Sequence, residues 1–478
     1  MIIPEKKTKI VATIGPVTES QPQLEKLLKA GLNVIRMNFS HGDFAEHQLK
    51  FDNGKKASEK TGLPVAFLQD LSGPKIRIGT FYDDADKTVT LKKGQKFLLT
   101  TRKITGDDTQ ASINYPKFAK EVKMGETVLL DDGKKRLEIL EIKGQDVFCK
   151  VVVGGVTKGR RGVNLPESDL SISALTDKDK DDVKFGIKNK VDFIAFSFVR
   201  KPEEVTELRE ILDAAKSKAR IISKIETPQA VENIDEIIKL SDGIMVARGD
   251  LAVEVPAEQV PLIQKRIIQK CNAAGKPVIT ATQMLESMIN SPVPTRAEVS
   301  DIANAILDGT DAIMLSEETT LGEFPVESVE VMSRVAIHTE QEYLGEQFFE
   351  NSDSDSDVWT KTRAITEGTV NAADEVDAKY IVCLSQSGRT ARMISRFKPT
   401  QPIIAVTPDK ITFNQLQLSA GVTSLLIPKT QNFDEVLKVI RDTLKKNKLV
   451  KSGDKIVLVS GTPFAKAIST NMMVIEEF

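Results

Sequence analysis

The 478-residue chain predicts an α/β protein: a (β/α)8 TIM barrel with an all-β domain inserted into it and a smaller α/β domain after it. Three observations predict this. Eight short apolar runs alternate with segments of helical period. One long stretch between the third and fourth runs loses that period and alternates apolar and polar residues between turn signals. From residue 360 onward, βα alternation resumes. At about 150 residues per domain, the length agrees with roughly three domains.

The eight runs are residues 10–14, 34–39, 65–69, 193–198, 220–225, 243–247, 278–281 and 312–315. Short runs this uniformly apolar suit strands buried on both faces. The segments 23–30, 202–215 and 259–274 have helical composition and period. Eight such units match a closed barrel, although alternation alone fits an open doubly wound sheet as well. Inside the gap, residues 88–91, 96–100, 127–130, 136–142 and 146–153 read as strands, punctuated by Gly94, Gly106, Gly125, Gly133, Gly144 and Gly154-Gly155. An insertion at the mouth of a barrel is well sited to act as a lid. The acidic stretch 350–357 reads as an exposed linker, or equally as an ordered surface turn. Beyond it, strands at 380–384, 403–406, 424–427, 456–459 and 473–475 predict a mostly parallel sheet. The expected division is a catalytic barrel of 1–74 and 171–345, a lid of 75–170, and a C-terminal domain of 346–478 able to bind an effector.

Lys+Arg number 66 and Asp+Glu 68, a net charge of −2, which argues against a nucleic-acid or anionic-membrane binder. Cys149, Cys271 and Cys383 are scattered and odd in number, which is no disulfide framework and suits a reducing compartment. With three histidines, His41, His47 and His338, a zinc site has little to draw on. Any metal would depend on carboxylate oxygens, which favours Mg2+. The N-terminus has no signal-peptide pattern and no apolar run approaches 18 residues, so a cytoplasmic protein is expected.

Barrel enzymes carry their chemistry at the C-terminal ends of the strands. Here those ends hold Arg36, Asn38 and Ser40; Asp70; Ser197; Lys224 and Glu226; Arg248 and Asp250; Thr282; and Ser316 and Glu318. That is denser in charge than stability requires. Lys224 and Glu226 alternate about Ile225 and project together. They read either as a structural ion pair or as a lysine aimed at a phosphoryl group beside a metal-binding carboxylate, with Asp250 as second ligand. No P-loop and no strand-linked G-x-G-x-x-G occurs, so phosphate chemistry here would rest on point charges and metal.

Ile221-Ile-Ser-Lys-Ile-Glu-Thr-Pro228 resembles the active-site signature of the pyruvate kinases. So do the segments 34–42, 70–75, 160–166, 248–251, 281–288 and 314–316, in the family's order along nearly the whole chain. The resemblance implies transfer of a phosphoryl group from phosphoenolpyruvate to ADP, giving ATP and pyruvate, the final step of glycolysis. It implies that Glu226 and Asp250 hold Mg2+, and that a second Mg2+ arrives with the nucleotide. Lys224 and Arg36 would neutralise the phosphoryl group, and Thr282 would lie near the carbon to be protonated. Arg36, Ser197, Lys224, Gly249, Asp250 and Thr282 would surround the substrate; Asn38, Arg77 and Arg161 would meet the nucleotide. A homotetramer is implied.

Two segments depart from or extend that pattern. Many family members have Glu at the position of Lys75 and Thr at that of Leu71, and bind K+ nearby. The corresponding region here is Asn38, Ser40, Asp70, Leu71 and Lys75, and a tethered ammonium there predicts activity without added K+. Glu317 stands where the family has a small residue, so Ser316 and Glu318 are left outside the catalytic set. In the C-terminal domain, Ser385, Gln386, Ser387, Gly388, Arg389 and Thr390 read as a phosphate nest for a sugar-phosphate or AMP activator, or as a plain capped turn. Two rivals stand beside this reading: a Mg2+-dependent aldolase or lyase of the same fold, and a sugar-phosphate sensor with a decayed site.

Overall fold

The computed structural model describes residues 3–84, 86–343, 357–429, 433–461 and 470–478. In chain order the strands are β1 (Lys9–Thr13), β2 (Val34–Asn38) and β3 (Ala66–Asp70); then, in the insert, β4 (Thr88–Leu91), β5 (Lys96–Thr100), β6 (Gln110–Ser112), β7 (Thr127–Leu130), β8 (Lys135–Lys143), β9 (Asp146–Val153), β10 (Gly155–Lys158) and β11 (Val163–Asn164). The barrel resumes with β12 (Phe193–Phe196), β13 (Arg220–Ile225), β14 (Gly243–Ala247), β15 (Val278–Ala281) and β16 (Ala312–Leu315). Last come β17 (Tyr380–Leu384), β18 (Ile403–Thr407), β19 (Val422–Leu426), β20 (Lys455–Ser460) and β21 (Met472–Glu477).

The eight barrel strands close in the order β1-β16-β15-β14-β13-β12-β3-β2, all parallel, so the open-sheet alternative is set aside. Val34, Ala66, Leu68, Phe193, Ala195 and Ile222 fill the interior. Because side chains alternate along a strand, the same inward parity continues upward to Arg36, Asp70, Ser197 and Lys224. The polar rim is thus the top layer of a packed column. The outward residues, such as Ile35, Ile194, Ile221 and Ile244, join the layer of buried side chains beneath the surrounding helices.

The insert is all-β apart from one short helix, Phe118–Glu121. It packs Phe81, Phe97, Leu99, Val128, Leu137 and Val151 into a core of its own. Its short strands β6, β10 and β11 lie outside the sequence expectation. The chain leaves the barrel at residues 71–74, where Asp179 Oδ1 accepts hydrogen bonds from the amides of Ser72 (3.0 Å) and Gly73 (3.2 Å). It returns past Leu170 and Ile172, whose carbonyls both accept from Arg200.

The C-terminal sheet runs β19-β18-β17-β20-β21, parallel except for the antiparallel β21. It docks on the barrel face opposite that polar rim: Lys9 Nζ donates to Val422 O (2.7 Å), Arg220 to Ser387 O (2.7 Å), and Lys398 pairs with Asp311 (2.9 Å). Of the acidic stretch 350–357, residues 350–356 lie outside the described residues. Among the described residues the three cysteines are free and buried, and no helix is long and apolar enough to cross a membrane.

Candidate active site

Lys224 is the centre of the rim. Its ammonium lies 2.8 Å from Glu226 Oε1 and 3.5 Å from Asp70 Oδ1, and donates to Ser197 Oγ at 2.8 Å. Ser197 Oγ in turn donates to Leu71 O (2.7 Å), so the hydroxyl fixes the lysine from a backbone anchor. Burial alone would lower the Lys224 ammonium; the carboxylates of Asp70, Glu226 and Asp250 outweigh it and hold the group above its ordinary value. The three carboxylates thus favour the cationic form of Lys224.

Asp70 is fully buried and also accepts from Arg36 Nε at 2.7 Å. Burial pushes its carboxyl up, but Lys224 and Arg36 prevail and hold it below the usual carboxylate range. Arg36 Nη1 donates to Thr13 Oγ1 (2.6 Å), which leaves the guanidinium held between β1 and β3. Thus Asp70, read from the sequence as part of a monovalent-cation region, is already engaged by two cations. Within that region Asn38 Oδ1 accepts from Ser40 N (3.0 Å), and Ser40 lies past the end of β2, in a turn. Leu71 contributes its backbone. Lys75 is half-buried; burial, then Arg77, Lys224 and Lys178, lower its pKa, while Asp250 opposes them.

Glu226 is the first residue beyond β13. Its Oε2 accepts from Phe198 N (2.7 Å). Its Oε1 is buried and faces the Lys224 ammonium at 2.8 Å. Burial most of all, and the charge of Asp250 next, raise the Glu226 carboxyl. Asp250 is exposed, and among the described residues no ion pair or hydrogen bond engages its side chain. Two carboxylates, one buried and one exposed, are a donor set suited to a hard divalent cation. Among the described residues no group of three or more His, Cys, Asp or Glu side chains gathers for a metal, so any ion here would take its remaining ligands from water and substrate.

Thr282 follows β15 with φ 73°, a left-handed conformation uncommon for a β-branched residue. Its Oγ1 accepts from Gly249 N (2.7 Å), the amide just before Asp250. Arg248 secures the same corner: it forks onto Asp301 with two contacts of 2.7 Å and donates to the carbonyls of Ala281 (3.2 Å) and Thr282 (2.9 Å). Arg248 stood in the rim ring read from the sequence without a role. Asp301, on a helix far along the chain, carried no sequence signal. Glu318 spends its carboxylate on the amides of Leu285 (3.1 Å) and Ser316 (2.7 Å), a structural use.

In the insert, Arg161 Nε lies 3.3 Å from Asp131 Oδ1 and remains half-exposed, and Arg77 is exposed. The loop 385–390 is separate, at the opposite end of the barrel. Ser387 O accepts from Arg220 and Arg392, Gln386 O accepts from Thr412 (2.8 Å), and Thr390 bonds Thr470 (2.8 Å). Gly388 has φ 75°.

The chain matches two family models: "Pyruvate kinase, barrel domain" over residues 5–329 and "Pyruvate kinase, alpha/beta domain" over 363–476. It is 44% identical over 98% of its length to Pyruvate kinase 2 of Synechocystis sp., covering 79% of that protein. It is 44% identical to a pyruvate kinase of Geobacillus stearothermophilus (98% of this chain, 80% of the relative). Among solved structures, a pyruvate kinase from Cryptosporidium parvum superimposes with a TM-score of 0.91 at 37% identity, covering 99% of this chain and 96% of that one.

Proposed function

The chain belongs to the pyruvate kinase family and is a phosphotransferase, and from that premise we propose how its own residues carry out the transfer. The observation that carries the reading is the convergence of Lys224, Glu226, Asp70 and Arg36 at one rim, with Asp250 in electrostatic reach. Phosphoryl transfer is catalysed mainly by alignment and by stabilising negative charge spread over the oxygens in flight. Lys224 and Arg36, locked by Ser197, Thr13 and Asp70, offer that charge without reorganising. Glu226 and Asp250 would hold Mg2+, whose chemistry is to neutralise substrate oxygens; the buried Oε1 of Glu226, now beside Lys224, would be one of its donors. Gly249 and Thr282 border the phosphoenolpyruvate, with the Thr282 hydroxyl on the side where the methylene carbon takes up its proton. Asn38, Arg77 and Arg161 meet ADP, which brings a second Mg2+, as the lid of 75–170 closes on the barrel of 1–74 and 171–345.

Activity without added K+ is part of the reading. Asp70 is occupied by Arg36 and Lys224, and the Lys75 side chain stands nearby among other cations, so a further monovalent cation would be repelled. The loop 385–390 of the C-terminal domain takes a sugar phosphate or AMP as activator. The assembly is a cytoplasmic homotetramer, and three reduced, buried cysteines suit that compartment.

A coupled assay with phosphoenolpyruvate and ADP tests the reaction, the K+ argument and the effector loop. Lys224→Met is expected to bind substrates and lose on the order of 10²–10³ in turnover, the size of one preorganised donor. Near-normal turnover removes Lys224 from its role. Large activation by KCl refutes the Lys75 argument, and a saturation curve unmoved by sugar phosphates or AMP leaves 385–390 a plain turn. Borohydride trapping of the substrate on Lys224 would favour the aldolase rival.

A further inference from the structure

The helix Arg248–Glu254, which carries Asp250, is seven residues long and has no side-chain cap at its start. Helices this short are not stable on their own. Its first turn is tied down by Arg248 and by the Gly249–Thr282 hydrogen bond, and its middle by the fully buried Leu251. Its last turn depends on the lid. Asn164 Nδ2, on β11, donates to Glu254 Oε1 at 2.7 Å, across 90 residues of sequence. Among the described residues no other side-chain hydrogen bond holds Glu254. Beside it the lid turn after β7 comes close: a Cβ at Gly133 would stand 3.5 Å from Val253 Cγ1.

Glu254 is a costly choice for the helix itself. It stands four residues from Asp250, so the two carboxylates share a face and repel each other. Burial, with Asp250 adding to it, raises the Glu254 carboxyl. A group that works against its own helix is accounted for by what it grips. The strand that grips it is the one that follows Arg161, three residues earlier, and β11 pairs with β7, whose turn supplies the Asp131 partner of Arg161. One short lid segment thus holds both a nucleotide contact and the end of the metal-ligand helix.

We propose that Asn164 and Glu254 are positioning residues for phosphoryl transfer: their hydrogen bond is the catch by which the closed lid sets the helix that presents Asp250. This rests on the reading of Asp250 as a divalent-metal ligand. The catch explains why closure would matter for metal as well as for nucleotide.

The test uses the full chain with Asn164→Ala, Glu254→Ala, the double variant, and Glu254→Gln, which keeps an acceptor oxygen. Three quantities are read: kcat and KM; the affinity of the nucleotide-free protein for Mn2+, by electron paramagnetic resonance; and amide hydrogen exchange in 248–254 and 160–166. Each alanine variant is expected to lower kcat about tenfold, the weight of one hydrogen bond to a charged group. Each should weaken Mn2+ binding severalfold and speed exchange in both segments. The double variant should be no worse than either single, and Glu254→Gln should restore exchange. The proposal is overturned if either alanine variant, folded by circular dichroism, leaves exchange unchanged in the segment across the interface, or if the two effects add. Failure of the underlying metal reading looks different: Asp250→Asn would leave Mn2+ affinity unchanged while the exchange coupling between Asn164 and Glu254 persisted.

Discussion

At the scale of single residues, the rim is governed by one buried carboxylate serving two cations. Asp70 has no exposure and meets both Arg36 and Lys224, whereas Lys224 has Glu226 as a second partner and Arg36 has the neutral Thr13. Removing one member of a buried pair leaves the other uncompensated, at a cost of about 3–5 kcal/mol. Asp70→Asn keeps the shape and discards the charge. It should lower thermal stability and reduce kcat by about 10², because both cations lose the partner that orients them. Thermal unfolding and the coupled assay read the two effects. Turnover close to that of the unaltered protein would mean that Glu226 and Thr13 suffice, and that Asp70 is only a charge balance.

At the scale of elements, the critical piece is the crossing between barrel and lid. Asp179, third residue of the helix Asp177–Asn189, closes a capping box with Thr176 through Oδ2 and uses Oδ1 on the amides of Ser72 and Gly73. One carboxylate therefore starts the returning helix and fixes the outgoing strand. Asp179→Ala strands two buried amides, each worth about 1–3 kcal/mol. Exchange of the Ser72 and Gly73 amides should accelerate far more than that of β12, and protection as strong as before would refute the anchoring role. This is also where the limits of the sequence lie. The barrel strands were legible because burial on both faces writes a continuous apolar run, and the rim residues were legible because they end those runs. The lid strands β6, β10 and β11, of two to four residues, are too short to show a period. The pairs that do the fixing, Asp179 with Ser72, Asp70 with Lys224, Arg248 with Asp301 and Asn164 with Glu254, lie 53 to 154 residues apart. Contacts at that separation leave no local pattern, so only the folded chain reveals them.

At the scale of the molecule, β13 spans the barrel from the C-terminal domain to the reaction. Arg220 at its base holds Ser387 and Gln415 of that domain, and Lys224 at its top holds the rim. The neighbouring Asp192 lies in the same interface: it accepts from Phe67 N (2.8 Å), its carbonyl accepts from Gln415 (3.3 Å), and Asn414, Lys410 and Lys55 act on its carboxyl. Burial raises its pKa to about 7 from an ordinary 3.8, against the lowering pull of those partners. A carboxyl raised on folding binds protons more readily in the native state. Its contribution to stability is thus full below about pH 4 and is lost as the pH rises through about 7. Asp192→Asn retains an acceptor for Phe67 N and cannot ionise. Compared with the unaltered protein, it should gain stability by a few kcal/mol between pH 5 and pH 8. Lys6, Lys7 and Lys9, lowered by burial to about 7, 8 and 8, titrate in the same range with the opposite sign, but they are common to both proteins and cancel in the difference. Denaturant midpoints measured at several pH values decide the matter. A difference that does not change with pH would show that Asp192 ionises as an ordinary surface carboxylate does, and that the C-terminal domain does not seal the base of the barrel from water.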